Sequence, residues 1–330
     1  MEVKQTETNA ESLYIRASSV EPKEVKWLWY PYIPYGKVTI FQGNPGDGKS
    51  TLLLTLSAML TNGEILPFTE PEEMPEPMTV IYQTAEDDAD DTVVPRFMKA
   101  GGNRDRLVFI KEDESPLTFA DERIGIVIKN TGAKLLILDP LSSYIGDCSL
   151  NAANEVRPEF NHLIRAAKEN ECAIIVVDHM NKMQGQPVIN RTVGSIDIVG
   201  AVRSVITIVP DKEDKQKRYM VMSKANLAPL GNGIAFSIGE DGIEFLEEIE
   251  ATADELMQSF QTEIGRPDDR LEEAIGFISE MLADGRLPSK VCEARLKAAG
   301  IKASTAKKAK KKLGIVSSKP SIDWYWSLPE

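Results

Sequence analysis

The stretch that most constrains this chain is Gly43-Asn44-Pro45-Gly46-Asp47-Gly48-Lys49-Ser50-Thr51. It follows the apolar run Val38-Thr39-Ile40-Phe41 and opens onto Leu52-Leu53-Leu54-Thr55-Leu56-Ser57-Ala58-Met59-Leu60. The pattern is strand, glycine-rich loop, helix, with the spacing G-x-x-x-x-G-K-[ST]. Glycines let the backbone curl so that successive N–H groups face one point, and a helix N-terminus favours negative charge at that point. The nine residues from Gly43 to Thr51 are therefore expected to cradle the phosphates of a nucleoside triphosphate, ATP. Lys49 is expected on the outer phosphates and the Ser50 hydroxyl on Mg²⁺. A chance glycine turn would share the letters, but the strand and helix context stands on both sides.

A chain of 330 residues has room for one large domain and a small one. Its 42% hydrophobic and 27% charged residues are those of a globular protein. The net charge of −13 excludes a protein that coats nucleic acid indiscriminately, so any such contact must be local. Cys148, Cys172 and Cys292 are too scattered for a disulfide framework, and with two histidines a zinc site is not expected. There is no apolar leader and no run of about 20 apolar residues, so a membrane is not expected as a partner and the chain is expected in the cytoplasm.

Residues 1–24 are polar and are expected to be a disordered lead-in. Trp27, Trp29, Tyr30, Tyr32 and Tyr35, broken by Pro31 and Pro34, suggest an edge strand and turn packed on the core, with one ring stacked on the base as the sharper option. Buried strands are expected at Met78–Gln83, Leu135–Asp139 and Ala173–His179, with helices at Thr92–Ala100, Asp121–Asn130 and Ala152–Asn170 between them. That alternation predicts an α/β fold, a mainly parallel twisted sheet with crossover helices. From Val202 the rhythm changes to strands joined by short turns, so antiparallel edge strands are expected. A domain over 25–248 would then be followed by a linker over 249–268, with Ala251 to Gly265 helical. Over 269–330, three helices, a turn and a two-strand tail read as a winged helix.

Several residues could carry chemistry. Asp139 ends an apolar strand, where a phosphate-loop protein holds Mg²⁺, or else caps the turn before Pro140. Glu86 is the first acid after a separate strand. It either activates water or belongs to a solvated acidic loop with Asp87, Asp88, Asp90 and Asp91. His179 could sense the γ-phosphate or be structural. The polar loop behind it, with Lys182 and Arg191, suits a sugar-phosphate backbone as well as it suits plain solvent. Arg203 and Lys224 could bring positive charge to a transition state, in a neighbour's site if the protein is a ring, or pair with surface acids. Lys307, Lys308, Lys310, Lys311 and Lys312 form a basic run with no acid between Lys297 and Lys319. The run favours DNA contact, notably through Lys307, Lys308 and Lys311, over a solvated face.

The order of Gly43–Thr51, Thr84-Ala85-Glu86-Asp87-Asp88, Leu135–Pro140, Val177-Asp178-His179, Gly194-Ser195-Ile196-Asp197 and Ser223-Lys224-Ala225-Asn226 resembles RecA-superfamily ATPases. It looks most like the RepA-type branch of hexameric replicative helicases and mobile-element ATPases, over about Trp27 to Phe245. The resemblance implies a RecA-like core, Glu86 as catalytic carboxylate and His179 as γ-phosphate sensor. It also implies a homo-oligomeric ring, a hexamer, with ATP between subunits and single-stranded DNA in the channel against the loop behind His179. Relatives often carry Lys-x-Arg where this chain has Lys224-Ala225-Asn226, which leaves Arg203 as the substitute finger with Lys224 beside it. The tail resembles winged-helix domains found behind such ATPases, a route to duplex DNA. The function expected is an ATP-hydrolysing DNA motor or loader in replication or recombination of a mobile element. The competing reading is a DNA-binding regulator whose ATPase core is an assembly switch. A small-molecule kinase lacks support, since no lid-like arginine cluster follows the phosphate loop.

Overall fold

A computed structural model describes residues 14–112, 115–146, 148, 152–181, 187–191, 196–257, 269–283, 285–319 and 324–329. The chain divides into two compact units, Met1–Met257 and Gln258–Glu330. Of the lead-in, residues 14–24 are exposed and residues 1–13 lie outside the described residues.

The first unit opens with a hairpin, β1 (Trp27–Trp29) and β2 (Ile33–Pro34). There follow β3 (Val38–Gly43), α1 (Lys49–Asn62), β4 (Val80–Thr84), α2 (Val94–Lys99), β5 (Leu107–Val108) and α3 (Glu122–Thr131). Next come β6 (Leu135–Asp139), α4 (Ala153–Asn170), β7 (Ala173–His179) and α5 (Ile196–Ala201). The unit ends with β8 (Ser204–Pro210), β9 (Lys217–Ala225), β10 (Gly233–Gly239), β11 (Gly242–Ile249) and a helical turn, α6, over 253–257. Among the described residues, nine strands form one sheet in the order β11-β10-β9-β8-β3-β7-β6-β4-β5. Strands β8, β3, β7, β6, β4 and β5 are parallel neighbours, and β9, β10 and β11 add on antiparallel. This is a RecA-like arrangement, with parallel strands in the middle and antiparallel strands at one edge.

The period of two sorts the central strands between two layers. Phe41, Tyr82, Ile137, Ile175 and Val177 face a core shared with α1 and Phe97 of α2. Ile40, Ile81, Leu136, Leu138, Ile174 and Val176 face the opposite core, with Ile124 and Ile128 of α3 and Phe160 and Leu163 of α4. Covered on both faces, these strands have no solvent side, which is why they read as unbroken β-branched and leucine runs. Strand polarity then brings the C-terminal ends of β3, β4, β6 and β7 to one edge. Helix α1 stops at Gly63, whose φ of +70° supplies the left-handed cap.

One helix departs from expectation. The helix expected from Thr92 starts as a wide turn at Ala89–Val93 and becomes α-helical only at Val94. The aromatic hairpin enters β3 from its N-terminal end. Trp29 is buried, with Nε1 donating to the Pro67 carbonyl, and the Tyr32 hydroxyl donates to the Asn232 carbonyl. The Trp29 and Tyr32 rings thus pack on the core, at the N-terminal end of β3 and away from the phosphate loop. Of the helical linker expected over Ala251–Gly265, residues 253–257 are helical and 258–265 lie outside the described residues.

The second unit contains α7 (Asp269–Met281), β12 (Leu287–Pro288), α8 (Ser289–Ala298), α9 (Ala303–Lys312), β13 (Val316–Ser318) and β14 (Tyr325–Ser327). Its strands pair in the order β12-β14-β13, so the tail has a third short strand beyond the two expected. Ala274, Ile278, Leu282, Leu296, Ala306, Ala309 and Trp326 make its own core.

Candidate functional site

The site begins where β3 ends. Gly46 and Gly48 take positive φ, +83° and +89°, so the chain curls between strand and helix. The Asp47 carboxylate is buried and braces the curl, accepting from the Asn44 backbone N–H at 2.6 Å and the Asn44 side-chain amide at 3.2 Å. Asp47 is expected from the sequence among the residues of the phosphate-binding loop, and its side chain closes that loop on itself. Burial pushes its carboxyl above the usual aspartate value, against the hydrogen bonds from Asn44 and the charge of Lys49.

Lys49 is only 4% exposed. Its ammonium donates to the Gly43 carbonyl at 3.0 Å and the Asn44 carbonyl at 2.9 Å, and lies 3.3 Å from His179 Nδ1. An ammonium can only donate, so Nδ1 is the acceptor and the ring proton sits on Nε2. Nε2 lies 3.7 Å from a Glu86 carboxylate oxygen. Desolvation lowers the Lys49 pKa, while Asp47, Asp139, Asp178 and Glu86 raise it. A buried cation held by loop carbonyls is poised to exchange them for phosphate oxygens.

Two strands away, Ser50 Oγ donates to Asp139 Oδ2 at 2.7 Å, and the Tyr82 hydroxyl donates to the same oxygen at 3.1 Å. Burial raises the Asp139 pKa, opposed by those hydrogen bonds and by Lys49. Hard oxygen donors from a hydroxyl and a carboxylate, side by side, fit Mg²⁺, which binds through few protein ligands and keeps several waters. Thr84 pairs in register with Asp139, so the β4 end lies beside the β6 end. The Thr84 hydroxyl accepts from the Glu86 and Asp87 N–H groups, a turn that brings Glu86 toward His179.

Lys49, Ser50, Glu86, Asp139 and His179 thus come together from four strand ends. Other expected residues do not join them. Arg203 precedes β8, and Lys224 pairs with Val205 near the start of that strand, at the sheet end opposite the phosphate loop. The Lys224 ammonium donates to the Val199 and Val202 carbonyls. Neither cation reaches the phosphates of its own chain. The Arg191 guanidinium donates to the Asn181 carbonyl, and Lys182 lies outside the described residues, as do Gly194 and Ser195. Lys307, Lys308 and Lys311 are exposed on α9 in the second unit, whereas Lys310 lies over the Trp326 ring at 3.5 Å.

Sequence reasoning missed two features. Tyr82, in the middle of a strand, reads as core and carries a hydroxyl onto Asp139. The β10–β11 hairpin returns to the phosphate loop, and a Cβ on Gly48 would stand 2.3 Å from Ile238 Cδ1. Beside it a cavity of about 290 Å³ is lined by Thr51 and Thr55 of α1, Arg96 and Lys99 of α2, and Ile238 and Ile243. A larger cavity of about 660 Å³, between α3 and α4, contains none of the strand-end residues.

A family model described as AAA domain matches residues 4–185, more than half of the chain. That span holds the phosphate loop, Glu86, Asp139 and His179. No curated protein matches the chain. No helix among the described residues is long and apolar enough to cross a membrane. On the matched span and on the RecA-like sheet that carries its phosphate loop, the chain belongs to the AAA-domain family, with a P-loop ATPase core.

Proposed function

We propose that the protein hydrolyses ATP to drive a DNA-binding motor or loader of the RepA-like kind, acting in replication or recombination of a mobile element. The observation that carries hydrolysis is the meeting of Glu86 and His179 at the Lys49 ammonium, beside the Ser50–Asp139 pair. Lys49 and the loop amides bind the β- and γ-phosphates. The cavity beside Thr51 and Ile238 takes the nucleoside. Ser50 and Asp139 hold Mg²⁺, which when bound draws charge from the β,γ-bridge. Glu86 accepts a proton from water as the water oxygen bonds to the γ-phosphorus. The β,γ-bridging P–O bond breaks, and its electron pair leaves with ADP. His179, with its proton on Nε2, donates to the γ-phosphate and turns to Glu86 when phosphate departs.

The DNA reading rests on the exposed lysines of α9, in a unit whose helix and strand order suits a winged helix, and on the polar loop behind His179. In a ring, Arg203 and Lys224 would serve the neighbouring subunit's site, since their own is out of reach. Lys49→Ala is expected to abolish ATP binding. Glu86→Gln is expected to keep binding and lower DNA-stimulated turnover by about 100-fold or more. Normal hydrolysis by Glu86→Gln would sink the role given to Glu86. The placement of the basic helix in a separate unit also suits the assembly-switch reading, and a strand-displacement assay separates the two. A switch binds duplex and unwinds nothing.

A further inference from the structure

The Val188 peptide unit is held from both sides. Its carbonyl accepts from the Gln42 side-chain amide at 3.3 Å, and Gln42 immediately precedes the phosphate loop on β3. Its N–H donates to the Asp254 carboxylate at 2.8 Å, from a helical turn at the very end of the first unit. Val188 is 1% exposed and the Gln42 bond is shielded from competing water, while the Asp254 bond is partly buried.

The two ends of this bridge are each built to hold still. Gln42 is fully buried and also donates to the Thr207 hydroxyl at 2.9 Å, and Thr207 is bonded to the Ser223 hydroxyl. At the other end, Thr252-Ala253-Asp254-Glu255 is a capping box. The Thr252 N–H donates to the Glu255 carboxylate at 2.8 Å, and the Glu255 N–H donates back to the Thr252 hydroxyl at 3.2 Å. The box fixes α6, Ala253 is buried, and Asp254 in the first turn is aimed at Val188. Met257 adds a second tie, its sulfur 3.8 Å from an Arg191 guanidinium nitrogen.

The same segment is tied to His179. The Met180 N–H donates to the Gly43 carbonyl at 3.2 Å, the carbonyl that also holds the Lys49 ammonium. The Asn181 N–H donates to the Arg191 carbonyl at 2.7 Å, closing the excursion between them. The three Lys49 protons face Gly43, Asn44 and His179 Nδ1, so a phosphate oxygen must displace at least one of them, and two of the three, Gly43 and His179, are tied to this segment.

We propose that Asp254 is a latch coupling the nucleotide site to the chain that leads into the second unit. Nucleotide binding shifts the segment behind His179, Val188 moves with it, and the Asp254 bond carries the shift into α6. The trigger rests on the ATPase reading above, while the latch itself rests on the bonds at Val188.

The test is hydrogen–deuterium exchange on the full chain, with and without a non-hydrolysable ATP analogue whose binding is titrated on the same samples. In the wild type, segments 187–191 and 253–257 are expected to change together when the analogue binds. Asp254→Ala is expected to raise exchange at the Val188 amide about tenfold without nucleotide. It is also expected to leave 253–257 unresponsive to the analogue while 187–191 still responds. Asp254→Asn keeps an acceptor oxygen and is expected to behave as the wild type. A merely structural role would instead raise exchange throughout the unit in Asp254→Ala. Unchanged exchange at Val188 in that variant, or an undiminished response at 253–257, overturns the latch. A chain that binds the analogue with no change at 253–257 also overturns the latch but leaves the ATPase reading intact. A chain that fails to bind the analogue overturns that reading and the trigger with it.

Discussion

Asp139 is a buried acid whose ordinary proton affinity has been raised by loss of water, with Ser50 and Tyr82 donating to one oxygen. Because its folded pKa lies above the unfolded value, folding takes up a proton in the window between them. Stability therefore falls as pH rises across that window and is level above it. A bound divalent cation needs the carboxylate and competes with that proton. Added Mg²⁺ and nucleotide are thus expected to raise the melting temperature most above the window and least below it. In Asp139→Asn the share of the pH dependence that Asp139 contributes and the Mg²⁺ increment should both be lost, leaving the share of other shifted carboxyls such as Asp47; a persistent increment in the thermal melts would place the cation elsewhere. Gly48 makes a different kind of demand. At φ +89° a side chain is strained whatever space it has, and a Cβ would press on the flexible end of Ile238. Gly48→Ala is expected to cost about 1–3 kcal/mol, read as a lower urea midpoint, with loss of nucleotide binding.

At the scale of elements, strand β3 does two jobs, and they conflict at one position. Its alternation puts Ile40 and Phe41 into opposite cores and delivers Gly43 to the loop, but Thr39 is fully buried between Ile175 and Ser204 with its hydroxyl unsatisfied. Thr39→Val keeps the branched shape and removes the desolvated oxygen, so a gain of about 1 kcal/mol is expected in chemical denaturation. A decrease there would mean that the hydroxyl has a bound water. Strands of this kind are legible from sequence, because a strand buried on both faces is an apolar run and the polar residues that close its C-terminal end mark the working end. That logic reaches Lys49, Glu86, Asp139 and His179. It does not reach the β10–β11 hairpin, whose closure over Gly48 depends on sheet order, nor Asp254, whose acceptor role depends on where Val188 comes to lie. Arg203 and Lys224 fall between. Their positions at strand ends are legible, but which end of the sheet those ends occupy is settled only by the pairing of β8 with β3 and β9.

For the whole molecule, charge is distributed unevenly. The chain carries −13 overall, yet α9 shows Lys307, Lys308, Lys311 and Lys312 to solvent while Ala306 and Ala309 turn inward. Lys310 is withdrawn onto Trp326, and burial lowers its pKa, so it is a packing residue in a run that reads as uniformly basic. If α9 is the duplex-binding element, the exposed lysines should act through counterion release and Lys310 should not. Replacing Lys307, Lys308 and Lys311 with alanine is then expected to weaken duplex binding about equally for unrelated sequences. The log–log salt slope should fall by roughly 0.9 for each phosphate no longer neutralised. Lys310→Ala should leave that slope unchanged and lower the melting temperature of the second unit, because it removes packing against an indole face. Nucleotide affinity should be unaffected in both variants, since Lys49, Ser50 and Asp139 lie in the first unit. A salt slope that responds to Lys310 as strongly as to its exposed neighbours would show that α9 does not meet DNA with the face that the fold leaves open.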